Sequence, residues 1–434
     1  MSTERTALSE RIAEYVDAHQ PEAIAFLREL IRIPTDTPPG DNAPHAERTA
    51  QLLEAMGYSV ERHPVAADEV KAYGLMSLTN LIVRVRFGNG GPTIALNAHG
   101  DVVPPGDGWT KPPYAGVIED GRIYGRAAAV SKSDFATFTF ALNALRDLQQ
   151  QTQGVVLNGT IELHFTYDEE FGGEMGPGWL LRRHLTQPDL VIGPGFSYAI
   201  VTAHNGALHL EVTLHGRAAH VADQKSGVDA LRAATGVLQA LYAEGDRLSA
   251  TISATSGIGS PLLNVGRIEG GINTNVVPDR VTMKIDRRMI PEEEPSVVET
   301  ELRQLIESAA SKISGIRVEI RRLLLARALT PRPGHERLIE PLRRHGERVF
   351  GETLPVQGVG LYTDARLYAE AGIPVVLYGA GPRTILESNA KRADENLLLD
   401  DLRRATQVIA CTLCDLLHTP GASPPAGMES ASGI

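Results

Sequence analysis

The chain has 434 residues, 42% of them hydrophobic and 22% charged, with a formal net charge of −11 at pH 7. That length exceeds one ordinary core and predicts two domains of soluble globular composition. The acidic balance disfavours nucleic acid and anionic membrane as partners, because neither phosphate chains nor lipid headgroups attract an acidic surface.

The first stretch, MSTERTALSERIAEYVDAHQ, is polar and charged and carries no apolar signal-peptide core. No later run approaches the ~18 apolar residues of a membrane span. A helix is predicted over Pro21–Ile33, ended by the turn-rich PTDTPPGDNAP, and a second from His45 to Gly57. SVERHPV, NLIVRVRFG and TIALNAHGDVV then read as strands, DFATFTFALNALRDLQQ as a helix, and GTIELHFTYDEE as a strand with Ile161, Leu163, Phe165 and Tyr167 on one face. Such alternation predicts an α/β sheet flanked by helices. From Leu208 the texture changes to strand, helix, two strands, a helix over Ser296–Ser311 and a last strand ending at Ala326. That β-α-β-β-α-β order is the ferredoxin-like pattern. It reads as an insert over 206–326 in an α/β domain made of 1–205 and 327–418, because α/β character returns in HERLIEPLRRHGERVFG and IPVVLYGAG. The Pro/Gly/Ser-rich tail over 419–434 is expected to be disordered.

The only two cysteines, Cys411 and Cys414, form a CxxC. They share a helical repeat with Leu402, Ala405, Val408, Ile409, Leu413 and Leu416, which predicts core packing in place of redox or metal chemistry. So few cysteines fit a reducing cytosol, and a cytoplasmic location is expected.

Two segments carry chemistry. His99 and Asp101 stand at the carboxyl end of the TIALNAHGD strand, where open α/β sheets place ligand sites. Asp168, Glu169 and Glu170 stand at the end of another strand. Three adjacent carboxylates repel unless solvated or compensated by a cation or proton. On a strand-to-loop transition neighbours point apart, so one can ligate a cation while the next faces a water as general base. Read alone, HGD fits a surface turn and DEE a solvated acidic loop.

Taken in order, AHGDVVPPGDGWTKPPY, DGRIYGR, DEEFGG, GRAAH, GGINTNVVPDR, DRR, YTDAR and AGIPVVLYGAG resemble the zinc aminoacylase, acetylornithine deacetylase, succinyl-diaminopimelate desuccinylase and glutamate carboxypeptidase family, over about Ile31 to Leu417. The resemblance implies an α/β catalytic domain with a mixed sheet flanked by helices, interrupted by a ferredoxin-like α+β lid that also dimerises. By the same resemblance His99 corresponds to a first-metal ligand, Asp101 to the aspartate that orients it, Glu169 to the general base and Glu170 to a second-metal carboxylate. His220 corresponds to the lid histidine that stabilises the oxyanion in a neighbouring subunit's site. Asn275 and Arg288 correspond to residues that grip the substrate carboxylate, a task suited to a guanidinium fork. Without the family frame Arg288 reads equally well as a strand salt-bridge residue.

The pattern breaks at the metal. Val130 stands at the bridging aspartate, Pro194 and Gly195 at another carboxylate, and Lys391 at the last histidine. Zinc or another divalent metal is implied by the family, but the ligand set is incomplete and a metal-free site is favoured. In that reading Lys391 supplies the missing charge and pairs with Glu170 or Glu169. Asp134, one helical turn and roughly 6 Å beyond Val130, Glu387 and His204 are the candidates for rebuilding a site. A Ser131–Lys132 nucleophile pair is a weaker one. The sequence thus predicts an amidohydrolase or peptidase-family enzyme that cleaves a C–N bond of a small carboxylate-bearing substrate, such as an N-acyl amino acid or dipeptide, as a homodimer through its lid. The alternatives are a metal-independent lyase, cyclase or amide-forming enzyme using Glu169 and Lys391, and a non-catalytic ligand-binding pseudo-hydrolase.

Overall fold

The structure is a computed structural model that describes residues 2–152 and 155–418; the expected tail disorder over 419–434 lies outside the described residues. The chain divides into two compact units, one of Met1–Thr202, Pro331–Val356 and Leu367–Ile434, the other of Ala203–Thr330 and Gln357–Arg366. The second unit begins at Ala203, where the sequence placed the insert at 206. It ends at Thr330, where the sequence placed 326, and it also takes 357–366.

In the first unit the polar N-terminal stretch forms the helix Ser2–Ala18, with Leu8, Ile12 and Val16 buried along one stripe. The next helix is Gln20–Ile31, two residues shorter than the predicted end at Ile33. It buries Ala23, Phe26, Leu27, Leu30 and Ile31, the spacing of a single helical face. The first unit's sheet runs Val60–Pro64, Thr79–Phe87, Gly159–Thr166, Thr93–His99, Leu190–Gly193 and Val375–Leu377. Gly159–Thr166, Thr93–His99, Leu190–Gly193 and Val375–Leu377 pair in parallel. Their carboxyl ends therefore open on one side of the sheet.

Alternation along Gly159–Thr166 places Ile161, Leu163 and Phe165 in the main core, with Tyr167 following. Phe165 stacks on Phe135 at 4.0 Å between ring centroids. Burying such a side chain contributes about 1.5–3 kcal/mol. The opposite face is also covered, and there the buried Glu162 and His164 bond each other at 2.8 Å. Cys411 and Cys414 lie in the helix Leu399–Leu417 as free, buried members of the same core.

The helix Lys132–Gln151 begins below the site loops and is buried along most of its length. Lys132 is itself buried, and its ammonium donates to the carbonyls of Leu30 (3.2 Å) and Ile33 (2.9 Å). A cation near a helix C-terminus is favourable because the carbonyls there carry partial negative charge.

The second unit has the sheet order Leu262–Gly270, Arg280–Met289, Gly206–His215, Arg317–Ala326, with every pairing antiparallel. The helices Ala230–Ser249 and Pro295–Ala310 pack on it around Leu210, Val212, Met283, Ile285, Val237 and Ile306. This is the ferredoxin-like order expected from the element sequence.

Candidate active site

The first unit's site is built from loops that leave the carboxyl ends of the parallel strands, the usual ligand position of an open α/β sheet. His99 ends Thr93–His99 and is buried. Its backbone N–H and carbonyl both bond the Ser131 hydroxyl, at 3.3 and 3.1 Å. Gly100 follows because a Cβ there would run into the Tyr167 ring. His99 Nδ1 lies 3.0 Å from the Asp101 carbonyl, which directs Nε2 toward Glu169, whose Oε2 is 3.9 Å away.

Asp101 is fully buried and accepts the backbone N–H groups of Glu169 (3.2 Å) and Glu170 (2.9 Å). It thereby fixes the short 3₁₀ turn Glu169–Phe171 that presents the two glutamates. Asp168 turns the other way and accepts the Met175 N–H at 2.6 Å. The three adjacent carboxylates thus have three different surroundings, as strand-to-loop geometry predicts.

Lys391 reaches the same place from a loop residue with φ of +62°. Its ammonium donates to Glu170 Oε2 at 2.7 Å, and the side chain remains about half exposed, at 49%. Burial acts to lower the Lys391 pKa, but the charges of Glu170 and Glu169 outweigh it and raise it above the usual lysine value. Burial likewise opposes protonation of His99, yet Glu169, Asp101 and Glu170 lift that ring to about 10. Glu169 is pushed up to about 7 by burial, aided by the charge of Glu170, against the pull of His99 and Lys391. His99 and Lys391 thus face the carboxyl groups of Asp101, Glu169 and Glu170 in one cluster.

The positions that the resemblance pairs with metal ligands hold other groups. Val130 offers no donor atom; its backbone N–H and that of Ala129 are held by Glu395 Oε1 at 3.2 and 3.1 Å. A Cβ on Gly195 would meet the Tyr378 backbone nitrogen at 2.7 Å. Asp134 does not bridge in place of the lost aspartate. It is buried with Oδ1 2.8 Å from the Ala380 N–H, and a Cβ on Gly379 would collide with the same oxygen. Burial raises its pKa to about 7, against the Ala380 hydrogen bond and the charge on His99.

Glu387 faces Arg122 at 3.5 Å and caps the Arg383 N–H. His204 belongs to the second unit, where its ring nitrogens meet Asn205 O (2.8 Å) and the Thr363 N–H (3.3 Å). The Ser131–Lys132 pair is not a nucleophile couple, since one bonds the His99 backbone and the other the carbonyls of Leu30 and Ile33. Among the described residues no group of three His, Cys, Asp or Glu side chains is placed to hold a metal ion. Catalytic zinc takes about three protein ligands, so the donor set present does not fit the family's dinuclear centre.

In the second unit His220 is exposed, and its Nδ1 accepts the Ala222 N–H at 3.1 Å. The neighbouring Val221 N–H bonds the Asn275 carbonyl at 3.0 Å, which brings His220 and Asn275 onto adjacent segments. Arg288 donates through Nε to both oxygens of Asp286 at 3.0 Å, so the strand salt bridge read from the sequence is present. Its guanidinium also stacks over Tyr362 at 5.3 Å.

Sequence reasoning gave no role to Tyr362, although it opens the quoted YTDAR, and missed the buried pair Arg126–Glu395 (2.5 Å). Arg126 stood in the quoted DGRIYGR, but its partner lies 269 residues on, and no local pattern links them.

The comparisons agree with this architecture. Residues 95–415 match the model of Peptidase family M20/M25/M40. A succinyl-diaminopimelate desuccinylase of Methylobacterium radiotolerans is 29% identical over 405 residues, 90% of this chain and 96% of that protein. Human carnosine dipeptidase 1 superposes with a TM-score of 0.75 at 19% identity, covering 94% of this chain and 98% of that one. An M20 family metallo-carboxypeptidase from Sulfolobus solfataricus superposes with a TM-score of 0.73 at 18% identity, covering 91% and 98%. At those identities the structures attest the shared fold. The family-model match spans most of the chain, and on that ground this protein belongs to peptidase family M20/M25/M40, an enzyme family of amide-bond hydrolases whose members usually bind divalent metal.

Proposed function

We propose that this enzyme hydrolyses the amide bond of a small carboxylate-bearing substrate, an N-acyl amino acid or dipeptide, and that it does so without the divalent pair usual in its family. The observation that carries the reading is the placement of Glu169, buried at the strand ends beside His99 and the Lys391–Glu170 pair. Glu169 takes a proton from water as the oxygen adds to the amide carbonyl carbon, and returns it to the leaving nitrogen as the C–N bond breaks. Asp101 positions Glu169 through the backbone. His220 donates to the developing oxyanion, and Arg288 with Asn275 holds the substrate carboxylate. The second unit is the lid and the dimer contact, so that His220 serves a partner's site. The two buried free cysteines suit a cytoplasmic location.

The test is a panel of N-acetyl and N-succinyl amino acids and dipeptides, read by release of free amine after exhaustive chelation. Wild type releases amine with one oxygen from labelled water in the carboxylate product, and Glu169→Gln does not. Amine release that vanishes on chelation and returns with zinc would refute the metal-free part. Tight ligand binding with no release would refute hydrolysis altogether. The Lys391–Glu170 pair favours one second reading, a lyase, cyclase or amide-forming reaction with Glu169 as base and Lys391 as acid. Turnover without label in the product would select it.

A further inference from the structure

We infer that Lys391 stands in the second-metal position as the counter-cation of Glu170, and that the His99 half is left without donors because the Val130 side chain supplies none and Gly195 has no room for one. The inference takes the same pocket as the proposed function but does not depend on its chemistry.

In the Glu170 half, the ammonium stands 2.7 Å from the carboxylate oxygen that a second metal would ligate. Ammonium is donor-only and cannot itself coordinate. A dication on Glu170 Oε2 would sit about 2.0–2.2 Å from that oxygen, in the space Lys391 Nζ now fills, and would meet its charge. In the His99 half two changes act together. The Val130 side chain has no lone pair. Gly195 has no room for a side chain against Tyr378. A donor restored in either half alone therefore still faces an incomplete other half.

The experiment is a metal titration on the full chain, with bound zinc measured by elemental analysis and cobalt(II) followed by its visible absorption. Wild type takes up neither ion stoichiometrically. Lys391→Met, which keeps the stem and removes the charge, gains no tight site. The double variant Val130→Asp/Lys391→His, which restores two direct ligands, binds cobalt where wild type does not; a folded double variant that binds none counts against the inference. Stoichiometric zinc or cobalt on wild type, or tight binding by Lys391→Met alone, overturns the inference. The wild-type measurement stands even if a variant misfolds, which circular dichroism reveals. Failure to hydrolyse any amide, with metal still excluded, counts against the proposed function and leaves this inference standing.

Discussion

Glu395 offers the sharpest stability test, because its carboxylate carries three contacts at once. It bonds Arg126 Nη1 at 2.5 Å and the backbone N–H groups of Ala129 and Val130, while Arg126 also reaches the Pro105 carbonyl at 3.0 Å. Both side chains are only 1% exposed. Glu395→Gln keeps the shape and an acceptor for the amides but strands a buried guanidinium. Breaking one side of a buried pair costs about 3–5 kcal/mol. Glu395→Leu also orphans two amides, each worth about 1–3 kcal/mol, so it belongs at or above the top of that range. Burial pushes the Glu395 carboxyl pKa up against the pull of Arg126, so the pair as a whole gains little over an apolar one. The double variant Arg126→Leu/Glu395→Leu still orphans the two amides but strands no charge, so it should cost less than Glu395→Leu alone. The assay is urea unfolding followed by tryptophan fluorescence, since Trp109 lies under Arg126 at 5.3 Å. A cost below about 1 kcal/mol for Glu395→Gln, or single costs that simply add in the double, would refute the reasoning.

Lys132→Met removes both ammonium bonds, to the carbonyls of Leu30 and Ile33, and should cost about 1–3 kcal/mol, measured as a lowered unfolding midpoint. Asp415 links two helices by accepting from His345 Nε2 at 2.6 Å and from Arg344. Burial raises its carboxyl pKa, but those two partners hold it below the usual aspartate range. Its folded pKa is thus depressed, so its contribution is complete above the unfolded value of about 3.9 and is lost as pH falls through the folded value. Asp415→Asn should accordingly be less stable than wild type near neutrality and indistinguishable from it in strong acid, as followed by circular dichroism across pH. In the second unit, Tyr362→Leu removes a cation–π contact worth about 0.5–1 kcal/mol. For any carboxylate substrate found active it should raise KM a few-fold with kcat unchanged; a fall in kcat alone would contradict the assignment.

The sequence by itself determined most of the fold. Periodicity placed the flanking helices and the core face of Gly159–Thr166, and element order implied the ferredoxin-like unit, because 3.6- and 2-residue periods are local properties of a chain that must bury one face. The helical repeat around Cys411 and Cys414 likewise put them in the core. Motif order marked His99, Asp101, Glu169, Glu170 and Lys391, and the missing donors at 130 and 194–195. It did not determine what replaced them. That Asp134 turns to the Ala380 N–H, that Lys132 caps a helix, and that Glu395 holds the Ala129–Val130 loop depend on segments brought together from 99 to 266 residues apart. Only tertiary packing decides such pairings, because the energy of a buried charge or amide is set by whichever distant group meets it once water is gone.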